Sequence, residues 1–85
     1  MNELELLKNK IKYRSSYRGT KEMDLLLSSF ASKHIDTLSH NELKKLDEFI
    51  NCSDEEISNF YLNKIPITTF NDSKILNLFI SHKIK

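Results

Sequence analysis

The residues of this sequence that are best suited to binding chemistry lie in one short stretch, Arg18-Gly19-Thr20-Lys21-Glu22-Met23-Asp24. Arg18 supplies a planar cation that can grip a carboxylate or backbone carbonyls, and Glu22 supplies an acceptor or an ion-pair partner. Gly19, the only glycine of the chain, allows close backbone approach and is expected to end a helix with positive φ. We expect Arg18 and Glu22 to lie exposed on either side of a tight bend. The alternative is a simple turn with local ion pairs.

Catalytic and metal-binding patterns are not found in the sequence. It contains no glycine-rich phosphate loop, no His-x-x-x-His pair, and no Ser or Cys nucleophile beside an evident base. His34, His40 and His82 lie far apart in sequence and are expected at helix ends or on the surface. Cys52 is the only cysteine, so it cannot form an internal disulfide, and we expect a half-buried small side chain. The sequence therefore does not predict a free-standing enzyme.

Short amphipathic helices are expected to position these residues. One glycine and one proline in 85 residues leave few tight turns, which favours helices over a many-stranded sheet. Apolar residues recur at helical spacing in five segments, so we predict an all-α fold, a compact bundle of five short helices in one domain over residues 1–85. The predicted ranges are 2–17, 20–34, Ser39 to about Asn51, a short helix after Ser53, and a last helix after Asn71 or Asp72.

The second predicted helix has the strongest apolar pattern and is the predicted centre of the core. Its apolar positions fall at i, i+3, i+4, i+7, i+8 and i+11, and they are Met23, Leu26, Leu27, Phe30, Ala31 and His34. Between the fourth and fifth helices, Pro66 pushes Ile65 towards extended geometry, and the β-branched residues that follow are poor helix formers. We therefore expect residues 65–70 to form a packed apolar connector.

Charge is distributed unevenly along the chain, although the net charge is only +1. The segment Lys8–Lys21 contains six basic residues and no acid, whereas Glu42–Glu56 contains six acids and two lysines. We therefore expect an electrically polarised domain that can orient on a charged partner. A second interpretation is a small nucleic-acid-binding domain, because Tyr13 and Tyr17 are interleaved with the basic residues. The small net charge weighs against it, as does the lack of a helix with several exposed Arg, Asn or Gln on one face.

A resemblance to a known family rests on three ordered motifs. They are Arg18-Gly19-x-x-Glu22 with Met23-Asp24-Leu25-Leu26-Leu27 and Phe30, then Leu38-Ser39-His40-Asn41-Glu42, and then Cys52-Ser53-Asp54-Glu55-Glu56-Ile57-Ser58-Asn59-Phe60. In this order, over residues 10–66, the chain resembles the small SdhE-type flavinylation factors that assemble succinate dehydrogenase. That family often has Trp at the position of Phe60 and an acidic residue at the position of Ser53, so the match is weaker in the fourth helix.

The resemblance implies a five-helix assembly factor rather than an enzyme. The expected partner is the flavoprotein subunit of succinate dehydrogenase, with fumarate reductase left open as a second client, and not nucleic acid. FAD is expected to be the cofactor of the client, joined through its 8α-methyl to a client histidine, and not to be bound tightly by this chain. Arg18, Gly19 and Glu22, with Asp24 as a further candidate, are the residues expected to meet the client near its flavin.

The first residues and the hydropathy of the chain predict a location. Glu3 and Glu5 are unlike a signal or transit peptide, and no stretch approaches the roughly 20 apolar residues that span a bilayer. A lone cysteine is typical of a reducing compartment. Together with the resemblance, these features predict a cytoplasmic bacterial protein that is not an integral membrane protein.

Overall fold

Five α-helices make up the secondary structure in the computed structural model, which describes residues 2–16 and 18–82. They are α1 (Glu3–Ser16), α2 (Lys21–His34), α3 (His40–Ile50), α4 (Asp54–Asn63) and α5 (Ser73–Ile80). These described residues contain no strand. The predicted all-α fold of five short helices is therefore confirmed. Tyr17, the last residue of the first predicted helix, lies outside the described residues.

The starts of α2 to α5 are fixed by side chains that cap them. Each N-cap side chain accepts a hydrogen bond from the backbone N–H three residues later, which satisfies one of the free N–H groups of a helix start. The caps are Thr20, Ser39, Ser53 and Asp72. Ser39 and Glu42 form the full reciprocal capping box that the sequence predicts. At Ser53 only half of the box forms, because the Glu56 carboxylate accepts the hydroxyls of Ser53 and Thr69 instead.

The core forms where aromatic side chains of α2, α3 and α5 meet. Phe30, Phe49 and Phe79 are fully buried, and their ring centroids lie 4.8 to 6.2 Å apart in edge-to-face contacts. The predicted apolar positions of α2 are buried except His34, which is partly exposed. Helix α1 packs against both α2 and α3 through the fully buried Ile11. This packing carries the end of α1 to the turn between α3 and α4.

An irregular segment connects α4 to α5. Lys64 ends α4 in the left-handed region, with φ of 58°. Ile67 and Phe70 are buried, which confirms the predicted packed connector for these two residues. For Ile65 that prediction is wrong: its side chain is half exposed, because its N–H still bonds to the Asn59 carbonyl at the surface end of α4.

Candidate functional site

The corner between α1 and α2 is held by Arg18, whose side chain reaches across to the turn between α3 and α4. Its Nε donates to Asp54 Oδ1 at 2.7 Å, and its two terminal nitrogens donate to the carbonyls of Ile50 at 2.9 Å and Cys52 at 3.1 Å. A further bond at 3.2 Å goes to the carbonyl of Arg14. The side chain is only 12% exposed. The prediction that Arg18 is exposed is therefore wrong, because its donors are taken up by groups brought in from α3 and α4.

Gly19 follows Arg18 at the corner and is held by the same carboxylate. Its N–H donates to Asp54 Oδ2 at 2.9 Å, and a Cβ built on it would lie 3.2 Å from that oxygen. The expected positive φ is wrong, since Gly19 does not lie in the left-handed region. The chain turns into α2 through the extended Thr20, with φ of −131° and ψ of 158°. What favours glycine here is the close approach of the Asp54 carboxylate, not the turn.

Asp24 closes the corner from the side of α2. Its carboxylate accepts the backbone N–H of Arg18 through a short hydrogen bond, while its own N–H bonds to the Thr20 carbonyl at 3.0 Å. Asp24 lies in the first turn of α2, where the helix dipole also favours its charge. The structure thus brings three of the predicted site residues, Arg18, Gly19 and Asp24, into one hydrogen-bonded cluster.

Glu22 is the predicted site residue that does not join this cluster. It is exposed, as predicted, and within residues 2–16 and 18–82 its side chain has no hydrogen-bond or ion-pair partner. The carboxylate that pairs with Arg18 is that of Asp54, and not that of Glu22. Glu22 instead lines a small hollow between α2 and α4 together with Leu26 and Leu62.

Asp54 belongs to the site although its position in the sequence does not indicate it. Its carboxylate accepts from both Arg18 and Gly19, yet it lies 36 residues after Arg18 in the chain. In the sequence Asp54 reads as one of several acids in the first turn of α4, a position explained by the helix dipole alone. The one feature of the sequence that points to Asp54 is its position in the third motif of the family resemblance, Cys52 to Phe60.

Several cations of the basic segment Lys8–Lys21 form ion pairs with acids from other parts of the fold. Lys10 and Arg14 pair with the buried Asp47 at 3.1 and 3.8 Å, and Lys8 pairs with Asp36 at 3.1 Å. With the Arg18–Asp54 pair, four of its six cations have an ion-pair partner within the fold, and Lys10 and Arg14 share one carboxylate. Lys12 and Lys21 have no ion pair among the described residues, so the segment keeps an excess of positive charge, and the polarised surface stays a prediction. The pairing engages cations that phosphate contacts would need, which weighs against nucleic-acid binding. Tyr17 lies outside the described residues.

Cys52 is buried next to the corner, where its carbonyl accepts a hydrogen bond from Arg18. Its Sγ lies 3.8 Å from both the Thr69 hydroxyl and the Glu48 carbonyl oxygen. Burial raises the pKa of the Cys52 thiol and the charge of Glu56 raises it further, whereas the Thr69 hydrogen bond and Arg18 lower it. A raised pKa keeps the thiol protonated at neutral pH and lowers its reactivity. Cys52 is thus a small core side chain, more deeply buried than predicted.

His82 lies after the end of α5, as predicted, but it is buried rather than on the surface. Its Nε2 is 2.8 Å from the Ser29 hydroxyl, and its ring contacts the Phe30 ring with centroids 5.5 Å apart. Burial lowers the pKa of His82, and the charges of Lys33 and His34 lower it further. Among the described residues, no group of three or more His, Cys, Asp or Glu side chains could hold a metal ion.

Comparison with known proteins identifies a family. The family described as "Flavinator of succinate dehydrogenase" matches residues 9–83. Two proteins named "Succinate dehydrogenase assembly factor 2, mitochondrial" are 33% identical over 96% of the chain, in Dictyostelium discoideum, and 37% identical over 87% of it, in Meyerozyma guilliermondii. A protein named "FAD assembly factor SdhE", from Acetobacter pasteurianus, is 26% identical over 78% of the chain. No solved structure matches.

These relatives also bear on the location of the protein. The prediction of a cytoplasmic bacterial protein is wrong, because the relatives at 33% and 37% identity are eukaryotic and are named mitochondrial. The chain spans 58% of the length of each of these two relatives and 61% of the third. No helix in the described part of the chain is long and apolar enough to cross a membrane. The match over residues 9–83, together with these relatives, shows that the chain belongs to the family of flavinators of succinate dehydrogenase.

Proposed function

We propose that this chain is an assembly factor that binds the flavoprotein subunit of succinate dehydrogenase in mitochondria and promotes covalent attachment of FAD to that subunit. The observation that carries the proposal is the family match over residues 9–83, with relatives named for assembly of succinate dehydrogenase or of FAD. In this proposal FAD is the cofactor of the client, and its 8α-methyl becomes bonded to a client histidine. The chain itself acts by binding, not as an enzyme, and does not hold FAD tightly.

The geometry of the corner supports a binding role. The polar groups of Arg18 and Asp24 form hydrogen bonds within the corner and with Asp54. These two residues therefore hold the surface of the corner in one conformation. A surface that is already held in one conformation loses less entropy when a partner binds. Glu22 and Gly19 are exposed at the same corner. We therefore assign contact with the client to Glu22 and to the backbone at Gly19.

The proposal is tested by measuring covalent flavin in cells that lack this protein. The flavoprotein subunit should be present but poor in covalent flavin, read as flavin fluorescence on a denaturing gel. The wild-type chain should restore the signal. Normal covalent flavin in the deletion cells would contradict the proposed function.

Two alanine variants make the test specific to the corner. Glu22→Ala should restore covalent flavin poorly, whereas Glu5→Ala should restore it as well as the wild type does. Both glutamates are exposed and lie in the first turn of a helix, so both variants should keep the melting temperature of the wild type. Full restoration by Glu22→Ala would remove this residue from the client contact.

A further inference from the structure

An apolar hollow of about 220 Å³ lies between α2 and α4, next to the Arg18–Gly19 corner. We call it the α2–α4 groove. Its apolar lining comes from Met23, Leu26, Tyr61 and Leu62, and its polar lining from Thr20, Glu22 and Ser58. Leu62 is 69% exposed, more than any other large hydrophobic residue in the described part of the chain. A concave apolar surface that includes an exposed leucine is typical of an interaction site.

A second exposed leucine lies on α2, Leu25. It follows the groove residue Glu22 by three positions, so the two lie on the same face of the helix, and Leu25 is half exposed. Leu25 and Leu62 are thus exposed leucines on the two helices that form the groove. Leaving them in water forgoes the free energy of burial, which a partner that covers them recovers.

Acidic groups accompany this apolar surface. Glu22 lines the groove, and Glu55 lies on the same face of α4 as Ser58 and Leu62, because these three are spaced i, i+3 and i+7. Both glutamates are exposed, and neither has an ion-pair partner within residues 2–16 and 18–82. Asp47, by contrast, forms an ion pair with Lys10 of α1. A partner that fits the groove therefore has to be basic beside its apolar anchor.

We propose that the α2–α4 groove receives an apolar side chain of the flavoprotein client that is flanked by lysine or arginine. The inference rests on the proposed function and names the part of the surface that recognises the client. The volume of the groove suits one large apolar side chain, and its burial against Leu26 and Leu62 supplies affinity. Glu22 and Glu55 supply charge complementarity, which sets the register and the rate of association. The Arg18–Gly19 corner is continuous with this surface through Thr20.

The first arm of the test replaces exposed leucines. The dissociation constant for the isolated flavoprotein subunit is measured for the wild type, Leu62→Ser and Leu6→Ser. Leu6 is the matched control, because it is also an exposed leucine, at 55%, but lies on α1. Leu62→Ser should weaken binding about tenfold, and Leu6→Ser should leave it within about twofold. Melting curves confirm that both variants fold.

The second arm reverses charge and maps the contact. Glu22→Lys should weaken binding, and more so at low salt, whereas Glu5→Lys should not. A photocrosslinking amino acid placed at Leu62 should attach to a client segment with an apolar residue next to lysine or arginine. Attachment to an acidic segment would overturn the proposed partner chemistry.

The outcomes separate this inference from the proposed function. If the wild type does not bind the flavoprotein subunit, both fail. If Leu62→Ser binds like the wild type while Glu22→Lys binds weakly, the client contacts the corner but not the groove, and the groove inference alone is overturned. Weak binding by both variants, with native binding by both controls, supports it.

Discussion

The guanidinium of Arg18 and the carboxylate of Asp54 join two turns of the fold. Asp54 Oδ1 lies 2.7 Å from Nε and 2.6 Å from Nη2 of Arg18, which leaves Oδ2 to accept the Gly19 N–H at 2.9 Å. The same guanidinium satisfies the carbonyls of Ile50 and Cys52 at the end of α3. One pair of side chains therefore fixes the α1–α2 turn against the α3–α4 turn.

Replacing Arg18 with Ala is expected to destabilise the fold. The change leaves the Asp54 carboxylate and two backbone carbonyls without their donor, at a site where Arg18 is 12% exposed. Loss of charge-assisted hydrogen bonds of this kind lowers the free energy of unfolding by about 2 kcal/mol. In a domain of this size that lowers Tm by about 10 °C. Arg18→Lys should lower Tm by a smaller amount, since lysine keeps the positive charge but lacks the planar guanidinium.

The control for Arg18 is Lys21→Ala. Lys21 is exposed and has no ion pair in the described part of the chain, so its removal should change Tm by about 3 °C or less. Thermal and urea denaturation of the variants measure both effects. If the Tm of Arg18→Ala equals that of the wild type, the Arg18–Asp54 contact does not form in solution.

The cost of a side chain at position 19 is expected to depend on Asp54. A Cβ would lie 3.2 Å from Asp54 Oδ2, which Arg18 holds in place, so Gly19→Ala should destabilise by about 1 kcal/mol. In an Asp54→Ser background the close contact is absent. There Gly19→Ala should be neutral or stabilising, because alanine reduces the entropy of the unfolded chain. A double-mutant cycle with urea denaturation checks this, and an equal cost in both backgrounds would point to left-handed strain instead.

Features of the fold that are encoded locally could be predicted from the sequence. The helix starts at Thr20 and Ser39 follow from cap residues that lie within three positions of the N–H groups they satisfy. The buried face of α2 follows from the spacing of residues such as Leu27 and Phe30. These signals depend on neighbours in the chain, so they are readable before any packing is known.

The parts of the site that could not be predicted depend on contacts between distant helices. Arg18 meets Asp54 across 36 positions, and Ser29 meets His82 across 53. Which acid a cation meets is decided by how α1 packs on α3, and sequence spacing does not give that packing. For this reason the sequence indicates Arg18, Gly19, Glu22 and Asp24 as a group, but it does not show that Arg18 is largely buried while Glu22 is exposed.

Binding to nucleic acid is expected to be absent. The cations of α1 are engaged by acids such as Asp47, and releasing them for phosphate would leave this buried carboxylate unpaired. A fluorescence anisotropy titration with duplex DNA at micromolar protein should therefore show no shift at moderate salt. A shift that falls steeply as salt rises would indicate phosphate contacts and would revive the nucleic-acid interpretation.

The stability of the protein is expected to fall below neutral pH because of His82. Burial, Lys33 and His34 lower the pKa of His82 from its usual value near 6.5, so the unfolded chain takes up a proton first as pH falls. The contribution of this group is therefore complete above about pH 6.5 and is lost as pH falls through the lowered pKa. Nδ1 of His82 is buried without a partner in the described part of the chain, so protonation there has no acceptor.

Urea denaturation between pH 8 and about pH 5 measures this effect, with His82→Gln as the informative variant. Glutamine can still meet the Ser29 hydroxyl but cannot take up a proton, so its free energy of unfolding should fall less steeply with pH than that of the wild type. Part of the slope should remain, because burial and Lys33 also lower the pKa of His34. The double variant His34→Gln, His82→Gln should flatten the profile further. Parallel profiles for the wild type and His82→Gln would show that the pKa of His82 is the same in the folded and the unfolded protein, in contradiction to its buried site against Phe30.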